Sequence, residues 1–181
     1  MKSNDPSEQI SIREVSAEEL NAVLKVHFNS TFSNRADAAP SVNLPEETKR
    51  QISDRAKADA RFKLRLLIYQ NSQVVGWHTG QATDPETYYM QNSAILAPFR
   101  GQGLYKVLMN YVLGKVKSEG FQVVTSTHHP NNPAVLIPKL KAGFVISGIQ
   151  LHERFRFLIE LKYFFSEERR KAYGKNIGLE L

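Results

Sequence analysis

The stretch of the chain richest in chemical possibility reads Ser93-Ala94-Ile95-Leu96-Ala97-Pro98-Phe99-Arg100-Gly101-Gln102-Gly103-Leu104-Tyr105. An apolar run ends at Pro98, a turn containing Gly101 and Gly103 follows, and a helical pattern starts at once. This is how a chain makes a cradle for phosphate. Glycine lets the backbone approach a ligand closely and adopt positive φ. The first helical N–H groups have no intrahelical acceptor and point outward, and the helix dipole favours negative charge there. Two phosphate motifs are excluded. GxxxxGK[ST] does not occur, and the dinucleotide pattern GxGxxG, tried on Gly101 and Gly103, requires a glycine where Lys106 stands. Proton transfer has candidates in His128 and His129, since imidazole titrates near pH 6.5. Neighbouring strand residues face opposite ways, so only one of the two is expected in a site. No His-x-His or HExxH spacing occurs, and no metal site is expected.

Such a turn needs a strand before it and a helix after it. Residues 88–96 read as a strand, and 103–119 as a helix with Leu104, Val107, Leu108, Tyr111, Val112 and Val116 at helical spacing, stopped by Gly120. Residues 121–127 read as the next strand, which predicts a parallel crossover. Upstream, 9–15 alternates as a short strand, and Ser16-Ala17-Glu18-Glu19 is a capping box. The helix it opens carries Leu20, Val23, Leu24, His27, Phe28 and Phe32 on one stripe. Residues 33–44 are loop-like. Pro45, at the first helical position, and the acids Glu46 and Glu47 open a second helix to about residue 60, polar on most faces. Residues 62–69 and 74–82 form a hairpin about Asn71-Ser72. Asn132-Pro133 opens a short helix to 142, where Pro138 predicts a kink. Strands follow at 143–151 and 154–164, and Ser166-Glu167-Glu168 caps a last helix. The fold class expected is α/β of the α+β type: a mixed, mostly antiparallel central sheet of about seven strands flanked by helices. The chain reads as a disordered N-terminus over 1–8, one domain over 9–165, and a short C-terminal helix and tail over 166–181.

Composition narrows the function. With 181 residues, 41% of them aliphatic or aromatic, the chain can bury a core without staples. It has no cysteine, which removes thiolate catalysis, Cys-ligated zinc and iron–sulfur clusters. Its strictly apolar stretches reach about four residues against the roughly 20 that span a bilayer, and its first residues lack an apolar signal segment. We expect a cytoplasmic protein with no membrane partner. The net charge of +6, from 24 basic and 18 acidic residues, favours an anionic partner. The basic residues are scattered, without a stripe or an aromatic RNA-binding motif, so a nucleic-acid partner is not expected. Phe155, Phe157, Phe164 and Phe165 suit a core or a homodimer interface equally.

The Arg100-Gly101-Gln102-Gly103 turn after Pro98 resembles the (Q/R)-x-x-G-x-(G/A) signature of the GNAT superfamily of N-acetyltransferases. Arg100 holds the first position and Gly103 the fourth, and Tyr105 departs from the small residue of the sixth. Asn132, the short helix after it and Gly143-Phe144 are similar to a second family pattern, and the element order matches over about 9–165. The resemblance implies a GNAT-like acyl-CoA N-acyltransferase fold, acetyl-CoA as cosubstrate, and acetyl transfer to a primary amine by direct attack. The alternative is a non-catalytic acyl-CoA-binding module or sensor. It implies that the pyrophosphate lies on the amides of Arg100, Gly101, Gln102, Gly103, Leu104 and Tyr105. Pantetheine then pairs like an extra strand with the backbone near Ala94 and Leu96, and Asn132 joins the cofactor site. Lys106 and Lys139 are candidates for the outer phosphates. The family's usual acid is a Tyr that would stand at Lys139, or by another count at Pro138, so that role is not carried over. His128 and Tyr89 are the catalytic candidates instead, and Phe32, Arg35, Tyr88 and Asn92 the candidates for the acceptor side.

Overall fold

The structure is a computed structural model that describes residues 9–32 and 43–179. Its elements are β1 (Ile10–Glu14), α1 (Ala17–Thr31), α2 (Glu46–Ala58), β2 (Lys63–Gln70), β3 (Gln73–Ala82), β4 (Thr87–Ile95), α3 (Leu104–Ser118), β5 (Val123–His128), α4 (Pro133–Lys141), β6 (Val145–His152), β7 (Arg156–Phe164) and α5 (Glu167–Ile177). The seven strands form one sheet in the order β1-β2-β3-β4-β5-β7-β6. Every neighbouring pair is antiparallel except β4 and β5, which α3 joins in parallel. The mixed, mostly antiparallel sheet is as the hydrophobic pattern predicts.

Local chemistry sets the boundaries. The capping box forms: the Glu19 amide donates to Ser16 Oγ, and the Ser16 amide donates to Glu19 Oε2 at 2.9 Å. Asn71 and Ser72 take positive φ, which suits the tight hairpin between β2 and β3. Pro45 is a correction, because it stands at the N-cap with ψ 147° and α2 starts at Glu46. Lacking a side-chain acceptor, Pro45 leaves the favourable start of α2 to the acids Glu46 and Glu47. That helix buries no residue and is laced on its surface by Lys49–Glu46 and Arg50–Glu47 ion pairs.

Two apolar layers clamp the sheet. On one face α3 supplies Leu104, Leu108, Met109, Val112 and Val116 against Leu64, Leu66, Tyr88 and Val124. On the other, α1 packs Leu20 and Phe28 against Leu67, Trp77, Ala94 and Leu96. At roughly 25 cal/mol per Å² of apolar area, this burial is what holds α1 and α3 in place.

Two irregularities in β4 make the site. Thr79 pairs with Asn92 and Gln81 with Tyr89, so two steps along β3 answer three along β4. The extra residue is a β-bulge, which bends a strand and re-aims its side chains. Before it, Tyr88 and Met90 face α3; after it, Ile95 faces α3 while Ala94 and Leu96 face α1. β4 also pairs with β5 only from Thr87 to Tyr89, against Val123 to Thr125. Beyond that point the two parallel strands part.

Candidate active site

The turn after β4 begins with a single helical turn at Ala97–Phe99 and reaches α3 through Gly101 and Gly103, both at φ 79°. A side chain would be strained at either position, and a Cβ would meet nothing within 4 Å. The Arg100 amide donates to Ala97 O at 3.3 Å, and the next bonds of the turn are those of Lys106 and Val107 to Gly103 O. Among the described residues, the amides of 101–105 find no acceptor in the turn. The free donors therefore start at Gly101, and the Arg100 amide is excluded because it closes the preceding turn. The Arg100 guanidinium is also engaged: Nε donates to Ile95 O at 3.0 Å and NH2 to Thr31 O at 3.5 Å, fastening the turn to β4 and α1. Gln102 is tied back to Gln70 at 3.3 Å.

The open edge of β4 differs from the expected one. The Leu96 amide donates to Val75 O at 2.8 Å, so its backbone faces β3. Strand alternation puts the Ala94 backbone on that same edge. Ser93 and Ile95 are the residues whose backbones face the gap, and the Ile95 carbonyl there is the one Arg100 takes. The bulge shifts the parity by one.

The gap opens into a cavity of about 640 Å³. Phe32, Tyr89, Asn92, Tyr105, His128 and Asn132 all line it, as do Phe155 and Arg156 from the start of β7. Asn92 accepts from the Trp77 indole at 2.7 Å, and Phe32 meets that indole edge-on at 6.2 Å. The Tyr89 and Thr127 hydroxyls bridge the parting strands at 2.8 Å. His129 lines the cavity together with His128, because it lies past the end of β5 where alternation no longer applies. Tyr88 does not reach the cavity. It is fully buried on the α3 face with its hydroxyl 2.7 Å from His78 Nε2, and the other ring nitrogen meets Ser93 Oγ. Arg35 lies outside the described residues.

Lys139 is the residue that reading the sequence missed. Offered there to a phosphate at the surface, it is instead 1% exposed and part of the inner wall of the cavity. Its Nζ donates to Ser126 Oγ at 2.7 Å, lies 3.3 Å from Met90 Sδ and sits over the Phe144 ring. Ser126 Oγ is also 3.0 Å from His128 Nε2. Burial pushes the Lys139 amine down to about 7. Burial, and then the Lys139 charge, push His128 down to about 3, and His78 likewise. Both imidazoles are neutral at working pH. The signal available in the sequence was Lys139 standing four residues after Val135 and three before Ala142, on the inner stripe of α4.

The sequence model described as the Acetyltransferase (GNAT) family matches residues 28–144, more than half of the chain. No curated protein matches the sequence. Solved structures share the fold. An N-acetyltransferase from Staphylococcus aureus Mu50 superposes with TM-score 0.65 at 17% identity, covering 87% of this chain and 99% of that one. The ribosomal-protein-S18-alanine N-acetyltransferase from Escherichia coli gives 0.63 at 15% identity, over 87% and 95%. A GNAT family acetyltransferase from Elizabethkingia anophelis with acetyl-CoA bound gives 0.58 at 16% identity, over 86% and 98%. A cradle of free amides at the start of α3, a gap between parallel strands beside it and a match over residues 28–144 agree: this chain belongs to the GNAT family of acetyltransferases.

Proposed function

We propose that the protein transfers the acetyl group of acetyl-CoA to a primary amine by direct attack. The observation that carries this is the run of unengaged amides of 101–105 directly after the strand that parts from β5, with Tyr105 lining the cavity into which that gap opens. The residues present fit the cosubstrate. Among the described residues, the space above Gly101 and Gly103 is open and no acidic side chain lines the cavity, whereas Lys139 and Arg156 do. When bound, acetyl-CoA supplies an activated acyl carbon. The chain's own residues do the rest. Amides of 101–105 hold the pyrophosphate. The gap-facing backbone of Ser93 and Ile95 orients the pantetheine arm. Phe32, Asn92 and Arg156 flank the acceptor, with Asn92 fixed by Trp77. His128, held neutral by burial, is the candidate acceptor for the amine's proton, and Tyr89, whose hydroxyl shares a hydrogen bond with Thr127, is the second catalytic candidate lining the cavity.

Thermal unfolding with and without acetyl-CoA tests the binding half. Ligand at about 100 times its Kd raises stability by about 2.7 kcal/mol, or about 5–11 °C at this size. Release of free CoA from acetyl-CoA is then followed across a panel of amines. Amine-dependent release supports the enzyme. Binding with no release for any amine favours the non-catalytic module.

A further inference from the structure

Three polar side chains on β3 and β4 form a chain from the core to the cavity. His78 is fully buried, and each of its ring nitrogens meets one hydroxyl at 2.7 Å, Nε2 that of Tyr88 and Nδ1 that of Ser93. Tyr88 is buried as completely, and a Cβ at Gly80 would collide with its hydroxyl. Ser93 is the one of the three that lines the cavity. Burial keeps the imidazole neutral, so it carries a single proton. Among the described residues, neither hydroxyl has another partner. Three protons therefore serve two contacts, and one is left over. With the ring proton on Nε2, that N–H points at the Tyr88 oxygen and the phenol proton is stranded in the core, at the full penalty of a buried unsatisfied donor. With the ring proton on Nδ1, Tyr88 donates to Nε2, Nδ1–H donates to Ser93 Oγ, and the spare proton is the serine's own, at the cavity wall. Only the second arrangement strands nothing in the core. It makes Ser93 a donor of fixed direction, polarised by the two bonds behind it.

Resting on the acetyl-CoA reading, we propose that Ser93 tells acyl-CoA from free CoA: its hydroxyl, aimed by Tyr88 and His78, donates to the acyl carbonyl oxygen. Ser93 touches the ligand, and His78 and Tyr88 are positioning residues. The backbones of Ser93 and Ile95 face the gap, and Ser93 is the farther of the two along β4 from the free amides of 101–105. An arm anchored on those amides passes Ile95 first and brings its acyl end toward Ser93. A carbonyl oxygen accepts the serine proton well, whereas the thiol sulfur that the product presents is a weak acceptor. The product thus lacks a bond that the substrate makes, which favours its release.

The test needs no acceptor amine. Calorimetry measures the binding of acetyl-CoA and of CoA to the wild type and to Ser93→Ala. The variant binds acetyl-CoA about 2–10-fold more weakly, the net worth of one such hydrogen bond, and binds CoA as before. A serine with a merely structural role would weaken both ligands together or neither. Nitrogen-15 NMR of the wild type locates the ring proton of His78, and it decides the matter should Ser93→Ala fail to fold: a proton on Nδ1 supports the inference. Equal loss of both ligands, no loss of either, or a His78 proton on Nε2 overturns this inference and leaves the cofactor site standing. Absence of binding of either ligand to the wild type overturns both.

Discussion

Ser126 stands between Lys139 and His128, its hydroxyl oxygen 2.7 Å from Lys139 Nζ and 3.0 Å from His128 Nε2. One hydroxyl thus couples a buried amine on α4 to an imidazole on β5, at the point where β5 has parted from β4. The arrangement depends on the crossover through α3, which brings both strands to one end of the sheet, and on α4 returning across that end.

The two buried imidazoles make stability fall in acid. Both His78 and His128 have folded values near 3, below the ordinary 6.5, so the unfolded chain binds more protons in that interval. Stability is fully present above about pH 6.5 and is lost as pH falls toward 3, with a slope of up to about 1.4 kcal/mol per pH unit for each histidine. Urea unfolding at pH 7, 6 and 5 measures it, and a flat profile over that interval contradicts the neutral burial of both rings.

Gly103 separates the cradle from the rest of the fold. Gly103→Val places a β-branched residue at φ 79° and costs about 1–2 kcal/mol, which lowers the melting temperature by about 2–8 °C. It also abolishes the stabilisation by acetyl-CoA. The control is Gly114→Ala within α3, where a Cβ likewise meets nothing within 4 Å. That variant gains roughly 0.5–1 kcal/mol and keeps the full response to acetyl-CoA.

Asn92 holds the indole of Trp77, the chain's single tryptophan. Asn92→Leu leaves a buried N–H without its acceptor and destabilises the protein by about 1–3 kcal/mol. The fluorescence of Trp77 reports the change directly, and binding of acceptor amines weakens more than binding of acetyl-CoA.

Much of this was legible in the sequence because each signal acts locally. The Ser16–Glu19 box, the Gly101 and Gly103 turn and the helix α3 involve residues close together in the chain, and the structure shows each in place, although the buried face of α3 takes Met109 and Leu113 and leaves the expected Val107 and Tyr111 exposed. What stayed hidden depends on partners far apart. The bulge in β4 is set by pairing with β3, so the strand's residues could not be sorted into gap-facing and β3-facing from their own alternation. Tyr88 looks like Tyr89 in sequence, but its hydroxyl is claimed by His78, ten residues upstream on another strand. Lys139 carries a charge that normally marks the surface, and only the packing of α4 over Ser126 and Met90 turns it inward.

The bulge has a consequence for how this protein tolerates change in length. Between Tyr89 and Asn92 the strand carries one residue more than its partner. Removing one residue there would act as a frame shift in three dimensions. Ser93 and Ile95 would exchange faces with Asn92 and Ala94, and everything downstream to Arg100 would arrive half a pleat out of phase. A single deletion at this point would therefore be far more disruptive than any substitution beside it. The spare residue is the spacer that lets a sheet built on even counts present its odd-numbered backbone to the gap.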